Sequence, residues 1–391
     1  MKTEFNFKFA DYPSRLLIRE KVPLIRELKR ELYPAGESSE NLPVLAICDT
    51  NTEKLARKVL GEEEQDQRIK LLVLESGEKS KSLEIVETIL RAALDAELGR
   101  DGLFIGIGGG VIGDLTSFAA SVYMRGAKLC LVSTTLLGMV DAGLGGKTGI
   151  DFSGYKNLVG TFYPAGLVYL PLAALNTLPE KEWKSGMAEL IKTAILDSKE
   201  FLNLVKELFL LEEGGKTTAV YRECLKECIS RSVAYKGRIV EADPKETGTM
   251  RPLLNLGHTF GHALEKVVGL GVISHGEAVA WGIARACKLG LALGITPLER
   301  AREITKILVR SGYETRAPHP LAGSIDSLMN AMMADKKQKS GHGHGAAKLR
   351  FIVPGAESAR VVSAADMLTG DTPSQDETGV DMLLRKILSG E

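Results

Sequence analysis

The chain has 391 residues, of which 44% are hydrophobic and 26% are charged. This length and composition predict two domains of ordinary size and exclude a chain that is disordered throughout. Lysine and arginine together number 50, as do aspartate and glutamate, so the formal net charge is zero. A neutral molecule has no overall field that would gather nucleic acid or an anionic membrane, so any anion binding must be local.

The sequence pattern predicts neither a targeting segment nor a membrane span. No apolar run reaches the roughly 20 residues that span a bilayer. The first residues, MKTEFNFKFADYPS, lack the basic and then apolar pattern of a signal peptide. We therefore expect a cytoplasmic protein.

The five cysteines are scattered and contain no CxxC pair. We expect all of them to be reduced. Cys224 and Cys228 stand one helical turn apart, and we interpret them as helix-packing thiols because no second pair lies near them in the sequence.

Between residue 40 and about residue 170, short β-branched runs alternate with helical stretches. The predicted strands are Val44–Cys48, Ile69–Leu74, Leu103–Ile107 and Leu129–Val132, and the predicted helices are Glu53–Leu60, Ser80–Leu98 and Asp114–Tyr123. Such alternation is typical of a parallel α/β sheet. The first half is therefore a candidate nucleotide-binding domain.

After a boundary near residue 175 the pattern changes to long amphipathic segments without a convincing strand. The predicted helices are Glu182–Leu196, Lys199–Leu211, Thr217–Val240, Phe260–Val268, Gly276–Leu293 and Leu298–Ser311. The tail after about Ala365, which ends in a short helix, is expected to be peripheral.

A glycine-rich segment, GIGGGVIGD, runs from Gly106 to Asp114, after an apolar strand and before a helix. Gly108, Gly110 and Gly113 satisfy the pattern GxGxxG, in which bare backbone amides approach a phosphate. An acidic ribose partner about 20 residues later is not evident. A tight structural turn is therefore the alternative interpretation.

Polar residues also follow two other predicted strands. Asp49 and Asn51 follow the strand Val44–Cys48, and Glu78 and Lys81 follow the strand Ile69–Leu74. In an open parallel sheet a dinucleotide lies at this edge. For each residue separately, a solvated loop is an equally good interpretation.

Three of the six histidines fall between residues 258 and 275. His258 and His262 lie on one face of a helix, and His275 precedes the next helix. A zinc-type catalytic site takes about three ligands from histidine and carboxylate. Glu189, on an apolar helix beside Lys192, is the best candidate carboxylate, and spacing does not exclude Glu265 or Glu277.

Glycine recurs beside cationic and amide side chains in the middle of the chain. Such a composition, next to a metal, suits a small substrate that carries phosphate and carboxylate. The residues of this stretch are Arg125, Asp141, Lys147, Lys156 and Asn157, and later positions add Lys192, Lys236, Arg251, Asn255 and Arg350.

Taken in order, eight segments resemble the 3-dehydroquinate synthase family. They are GGGVIGD, YMRG, TTLL, VDAGLGGKTGID, KNLVGTFY, TLPEKEWKSGMAELIK, RPLLNLGHTFGHALE and HGEAVAWG, between about residues 44 and 355. The resemblance implies a Rossmann-like NAD domain over residues 1–175 and an α-helical metal- and substrate-binding domain over residues 176–391. It also implies an active site between the domains and a homodimer.

The resemblance further implies the roles of individual residues. The metal ligands would be Glu189, His258 and His275, which leaves His262 as a substrate contact. The other substrate contacts would be Asp141, Lys147, Asn157, Lys192, Lys236, Arg251, Asn255 and Arg350, with Arg125 reaching across the dimer. The NAD contacts would be Asp49, Asn51, Glu78, Lys81, Gly110, Asp114, Thr134, Thr135, Lys156 and Thr177.

The implied activity is that of a phosphorus-oxygen lyase in the shikimate pathway of aromatic amino acid biosynthesis. It would convert 3-deoxy-D-arabino-heptulosonate 7-phosphate to 3-dehydroquinate and phosphate, with NAD and zinc or cobalt as cofactors. The alternatives are a valiolone-type cyclase acting on sedoheptulose 7-phosphate, a metal-dependent polyol dehydrogenase and a non-enzymatic nucleotide-binding scaffold. The sequence departs from the family pattern by one added residue before Arg251 and by a longer loop, Gly341 to Gly345, which contains His342 and His344.

Overall fold

The computed structural model describes residues 2–33, 42–269, 271–339, 349–363, 366–367 and 377–390. His342 and His344 lie outside these ranges. The chain forms two compact units. The first comprises Met1–Gly186 and Ile229–Lys245, and the second comprises Met187–Cys228 and Glu246–Glu391.

The first unit is built on a seven-stranded sheet in the order β1, β2, β9, β6, β5, β3, β4. Only the pairing of β1 with β2 is antiparallel, and the other pairs are parallel. Its strands are β1 (Glu4–Phe9), β2 (Tyr12–Arg19), β3 (Val44–Asp49), β4 (Ile69–Leu74), β5 (Leu103–Gly108), β6 (Lys128–Ser133) and β9 (Leu167–Pro171), and a separate hairpin joins β7 (Ile150–Phe152) to β8 (Tyr155–Val159).

Four helices lie wholly within the first unit. They are α1 (Ile25–Leu32), α2 (Glu53–Leu60), α3 (Leu83–Asp95) and α4 (Gly110–Val122). Ser82 caps α3 by accepting a hydrogen bond from the Ile85 amide. The four predicted strands and three predicted helices are confirmed within a few residues at each end.

Strands β1 and β2 were not among the predicted elements. In β1, Phe5, Phe7 and Phe9 alternate with exposed residues, and their rings stack. Phe7 also packs on residues 229–245, which belong to the first unit. A Cβ at Gly237 in this segment would lie 2.1 Å from the Phe7 ring. Residues 229–245 therefore cluster with the sheet.

The second unit is mainly helical. Of its helices, α5 begins in the first unit and α7 ends there. The helices are α5 (Glu180–Asp197), α6 (Lys199–Glu212), α7 (Ala219–Ala242), α8 (His258–Val268), α9 (His275–Ala292), α10 (Leu298–Arg310), α11 (Ile325–Lys339) and α12 (Glu377–Ser389). The predicted helices of this half are confirmed. An antiparallel hairpin of β10 (Arg350–Pro354) and β11 (Ala359–Ser363) was not predicted.

The expectation that the tail is peripheral is wrong for α12. Val380, Leu384 and Leu388 are buried in the same core as Trp281 of α9. Their spacing places them on one helix face, and that face needs a partner surface. The last helix is therefore part of the second core.

All five cysteines are buried and free, as expected. Within the described ranges, no helix combines the length and the apolar character needed to cross a membrane.

Candidate active site and metal centre

The glycine-rich loop connects β5 to α4 at the carboxyl edge of the sheet. Gly109 is the N-cap of α4, and a Cβ there would lie 2.9 Å from Thr135 Cγ2. A Cβ at Gly108 would meet the Ile112 side chain at 2.7 Å, whereas one at Gly113 would meet nothing within 4 Å. Close packing therefore explains why glycine stands at positions 108 and 109, whereas position 113 has room for a side chain.

Other predicted cofactor contacts follow strands at the same edge. Asp49 ends β3, and its Oδ1 accepts hydrogen bonds from the Asn51 and Thr52 amides, at 3.0 and 2.9 Å. Thr134 follows β6, and its amide donates to the Gly108 carbonyl oxygen. Thr177 ends the 3₁₀ helix Leu172–Thr177, which follows β9. The parallel strands therefore bring these residues to one edge.

Lys81 contacts both Asp114, which was predicted to bind NAD, and Asn157, which was predicted to bind the substrate. Its buried Nζ donates to Asp114 Oδ2 at 2.7 Å and to the Asn157 side-chain oxygen. Burial alone lowers the pKa of Lys81, but the carboxylates of Asp114 and Glu78 outweigh burial and raise it. Lys81 is therefore a cation at neutral pH.

A second cation of the first unit is paired with a predicted substrate contact. Lys236 Nζ lies 2.6 Å from both the carbonyl oxygen and Oδ1 of Asp141. Asp141 belongs to a single π-helical turn, Gly138–Ala142. Such turns are frequent at functional sites.

Three further predicted site residues of the first unit, Arg125, Lys147 and Lys156, are exposed. Lys147 and Lys156 lie on the loop and hairpin between Gly145 and Val159. Met124 and Arg125 have positive φ values of 48° and 65°, which are strained for non-glycine residues. That strained turn presents Arg125 at the surface.

In the second unit, three glycines let α8 and α9 pack backbone against backbone. A Cβ at Gly282 would lie 2.0 Å from the Gly257 carbonyl oxygen, and one at Gly261 would lie 2.9 Å from the Ala278 carbonyl oxygen. This close approach brings His258 and His262 of α8 to His275, the first residue of α9. The imidazole centroids of His258 and His275 are 5.3 Å apart.

Helix α5 supplies the carboxylate. Glu189 is fully buried, and its Oε1 lies 3.6 Å from His258 Nε2 and 3.4 Å from His275 Nε2. The ligand atoms of these three residues all lie within 4.8 Å of one another. Lys192, one turn further along α5, places Nζ 2.5 Å from Glu189 Oε2.

The protonation states of these groups follow from burial and neighbouring charge. Burial and the Lys192 charge hold the pKa of His258 well below its usual value, so this imidazole is neutral. Burial also lowers the pKa of His275, but contacts with Glu189 and Glu265 outweigh it and raise the pKa to about 10. A metal on His275 would have to displace a proton.

The structure separates the three carboxylates that spacing left open. Glu277 forms the capping box of α9, accepting from the Ser274 amide and hydroxyl at 2.7 Å. Glu265 Oε2 lies 3.6 Å from Nδ1 of His275. Glu189 alone of the three faces Nε2 of both His258 and His275.

Two predicted anion contacts of the second unit, Arg251 and Arg350, lie in elements that contact each other. Arg251 is buried and begins the 3₁₀ helix Arg251–Asn255, which contacts β10. Arg350 is exposed at the start of β10, and its carbonyl oxygen accepts from Thr259 Oγ1 at 3.1 Å. Arg251 of the 3₁₀ helix and Arg350 of β10 therefore each supply one cation.

Solved structures of two synthases share this fold. 2-deoxy-scyllo-inosose synthase, complexed with carbaglucose-6-phosphate, NAD+ and Co2+, matches with a TM-score of 0.77 and 22% identity, over 98% of this chain and 100% of that chain. 2-epi-5-epi-valiolone synthase from Streptomyces hygroscopicus subsp. jinggangensis 5008, with NAD+ and Zn2+ bound, matches with a TM-score of 0.73 and 23% identity, over 96% and 97%. The chain therefore has the fold of these two synthases.

Sequence similarity is more specific. Profiles of the N-terminal and C-terminal parts of 3-dehydroquinate synthase match residues 71–185 and 186–338. The 3-dehydroquinate synthase of Synechococcus sp. (strain CC9605) is 40% identical over 286 residues, which cover 73% of this chain and 74% of the relative. That of Colwellia psychrerythraea (strain 34H / ATCC BAA-681) is 40% identical over 285 residues, covering 73% and 77%. The chain belongs to the 3-dehydroquinate synthase family.

Proposed function

We propose that this chain converts 3-deoxy-D-arabino-heptulosonate 7-phosphate to 3-dehydroquinate and phosphate, with NAD and a divalent metal as cofactors. Membership of the family supports the reaction. The observation that carries the assignment of the metal is the cluster of the buried Glu189 with the half-buried His258 and His275.

The chemistry of this cluster fits a zinc-type ion. Apart from the ion pair with Lys192, neither oxygen of Glu189 accepts a hydrogen bond of acceptable geometry from the described residues. A buried carboxylate in that state is costly, and a cation satisfies it. Two imidazoles and one carboxylate form a three-ligand catalytic set. When bound, the metal would act as a Lewis acid toward a substrate alcohol oxygen.

We assign NAD to the carboxyl edge of the sheet in the first unit. Gly110 and the first-turn amides of α4 would receive the pyrophosphate. Lys81, held by Asp114, would place its positive charge at this edge. When bound, NAD would accept hydride from the substrate and return it, so that net redox is zero. The assigned contacts are Asp49, Asn51, Glu78, Lys81, Gly110, Asp114, Thr134, Thr135, Lys156 and Thr177.

The substrate contacts are assigned from charge and hydrogen-bonding type. Lys192 and Arg350 would hold the phosphate in place, and a phosphate oxygen of the substrate itself would assist proton removal. Arg251 and Asn255 would bind the carboxylate. After phosphate leaves, the chain mainly has to hold the ring-opened enolate in the conformer that closes. The full proposed set is Arg125, Asp141, Lys147, Asn157, Lys192, Lys236, Arg251, Asn255, His262 and Arg350.

The direct test is phosphate release from the purified protein with this substrate, NAD and zinc, with and without a chelator, while NADH absorbance is followed. We expect chelator-sensitive phosphate release without accumulation of NADH. Accumulating NADH would instead indicate a polyol dehydrogenase. Release from sedoheptulose 7-phosphate alone would refute the proposed carboxylate contact of Arg251.

We further propose a homodimer. The hairpin of β7 and β8 exposes Phe152, Tyr155 and Leu158, at 45%, 42% and 50% of their surfaces. Exposed apolar groups of this kind mark interaction surfaces. Light scattering should give twice the chain mass, and the double variant F152S/L158S should shift it toward the monomer. A monomer at every concentration would contradict the proposal.

A further inference from the structure

Glu265 lies beside the metal cluster without being one of its three assigned ligands. On α8 it follows His258 and His262 at helical spacing, so the three side chains share one face. Its side chain is buried, and its Oε2 lies 3.6 Å from Nδ1 of His275. The opposite nitrogen of the same ring, Nε2, lies 3.4 Å from Glu189 Oε1. The imidazole is thus held between two carboxylates.

His258 has a comparable arrangement with a different partner. Its Nδ1 lies 3.2 Å from the Leu256 carbonyl oxygen, and its Nε2 lies 3.6 Å from Glu189 Oε1. Both rings therefore direct Nε2 toward Glu189. A neutral carbonyl faces the outer nitrogen of one ring, and a carboxylate faces that of the other.

We propose that Glu265 is a positioning residue that orients His275 and strengthens it as a metal ligand, an inference that rests on the metal assignment of the proposed function. A carboxylate that accepts the Nδ1 proton fixes the tautomer with Nε2 free for the metal and raises ligand basicity. The 3.6 Å separation exceeds a usual hydrogen bond by about half an ångström, which a small ring rotation would close.

A second ion is the competing interpretation. The ligand atoms of His262, Glu265 and His275 also lie within 4.8 Å of one another. However, both groups require His275. An imidazole that binds one cation through each nitrogen must lose both of its ring protons, which is unfavourable at neutral pH. The geometry therefore favours one ion, with Glu265 outside its ligand set.

The test measures zinc affinity of the full-length apo-protein by competition with a chromophoric chelator, without NAD or substrate. Glu265→Ala should weaken zinc binding roughly 10- to 100-fold. Glu265→Gln should weaken zinc binding less, because the glutamine amide oxygen can still accept a hydrogen bond from Nδ1 although it carries no charge. Glu299→Gln, at a highly exposed carboxylate of a surface pair, should leave the affinity unchanged.

A spectroscopic readout separates positioning from general loosening of the fold. With Co2+ in place of zinc, Glu265→Ala should shift the visible d–d bands, and Glu265→Gln should restore them in part. Unchanged affinity and spectra in both variants would refute the proposal, as would a fall in bound metal from two ions to one. If Glu265→Ala does not fold, as judged by circular dichroism, the proposal is tested by the zinc affinity and Co2+ spectrum of the nearly isosteric Glu265→Gln. Because no turnover is measured, failure here is distinguishable from failure of the proposed reaction.

Discussion

Lys192 Nζ lies 2.5 Å from Oε2 of Glu189, one turn earlier on α5, and both side chains are buried. Burial alone raises the pKa of Glu189, but Lys192 and the neighbouring histidines outweigh burial and hold the pKa well below its usual value. Without a metal, Lys192 therefore supplies much of the charge that keeps this carboxylate ionised. A divalent ion would share that task.

Replacing Lys192 should destabilise the apo-protein more than the zinc-bound protein. Lys192→Met removes the ammonium that lies against this buried carboxylate, which should lower the free energy of unfolding by roughly 3 kcal/mol. Zinc should reduce the deficit because it neutralises the same carboxylate. Urea unfolding with and without zinc measures both values. Lys216→Met, in the partly exposed pair with Glu212, is the control and should cost less than about 1 kcal/mol.

The three clustered histidines should differ in their effect on metal content. His258→Ala and His275→Ala should lose bound zinc, because each removes an assigned ligand. His262→Asn should retain zinc and lose turnover, because His262 is assigned to the substrate. Metal analysis after gel filtration, together with phosphate release, distinguishes the two patterns. Loss of zinc from the His262 variant would show that the ligand set is misassigned.

Removing the Lys81 ammonium should weaken NAD binding. Lys81→Met removes the ammonium that Asp114 and Asn157 hold at the proposed NAD site. Loss of one charge-assisted hydrogen bond to NAD would lower the affinity about 10- to 100-fold. NADH fluorescence measures the change. Because the pKa of Lys81 is raised, its charge should cause no loss of binding as the pH rises from about 6 to about 9. Exposed Lys79→Met is the control, and equal losses in the two variants would argue against a specific role.

Adding a methyl group between α8 and α9 should disrupt the metal centre. Gly282→Ala places a Cβ 2.0 Å from the Gly257 carbonyl oxygen, and such overpacking should cost about 3 kcal/mol or more. Zinc affinity should fall as well, because the two helices carry His258 and His275. Gly113→Ala, where a Cβ has open space, should keep its stability. Thermal unfolding and zinc titration check both variants, and a stable Gly282→Ala variant with normal zinc binding would contradict this account.

Local sequence patterns predicted most of the secondary structure. The β-branched runs and amphipathic segments between Val44 and Leu293 match observed strands and helices, since their periodicity is set by neighbours in the chain. Strand β1 was missed although Phe5, Phe7 and Phe9 alternate as strand residues do. The core position of α12 was missed because its partner, α9, is distant in sequence.

The candidate site divides in the same way. The sequence by itself determined the glycine loop before α4, the shared face of His258 and His262, and the family to which the chain belongs, because these depend on short spacings and residue types. Only the tertiary structure brought Glu189 to His258 and His275, assigned Glu277 to a helix cap and joined Lys81 to Asn157. Those pairings depend on which helices and loops pack together, and the spacing of residues along one element does not predict contacts with another element.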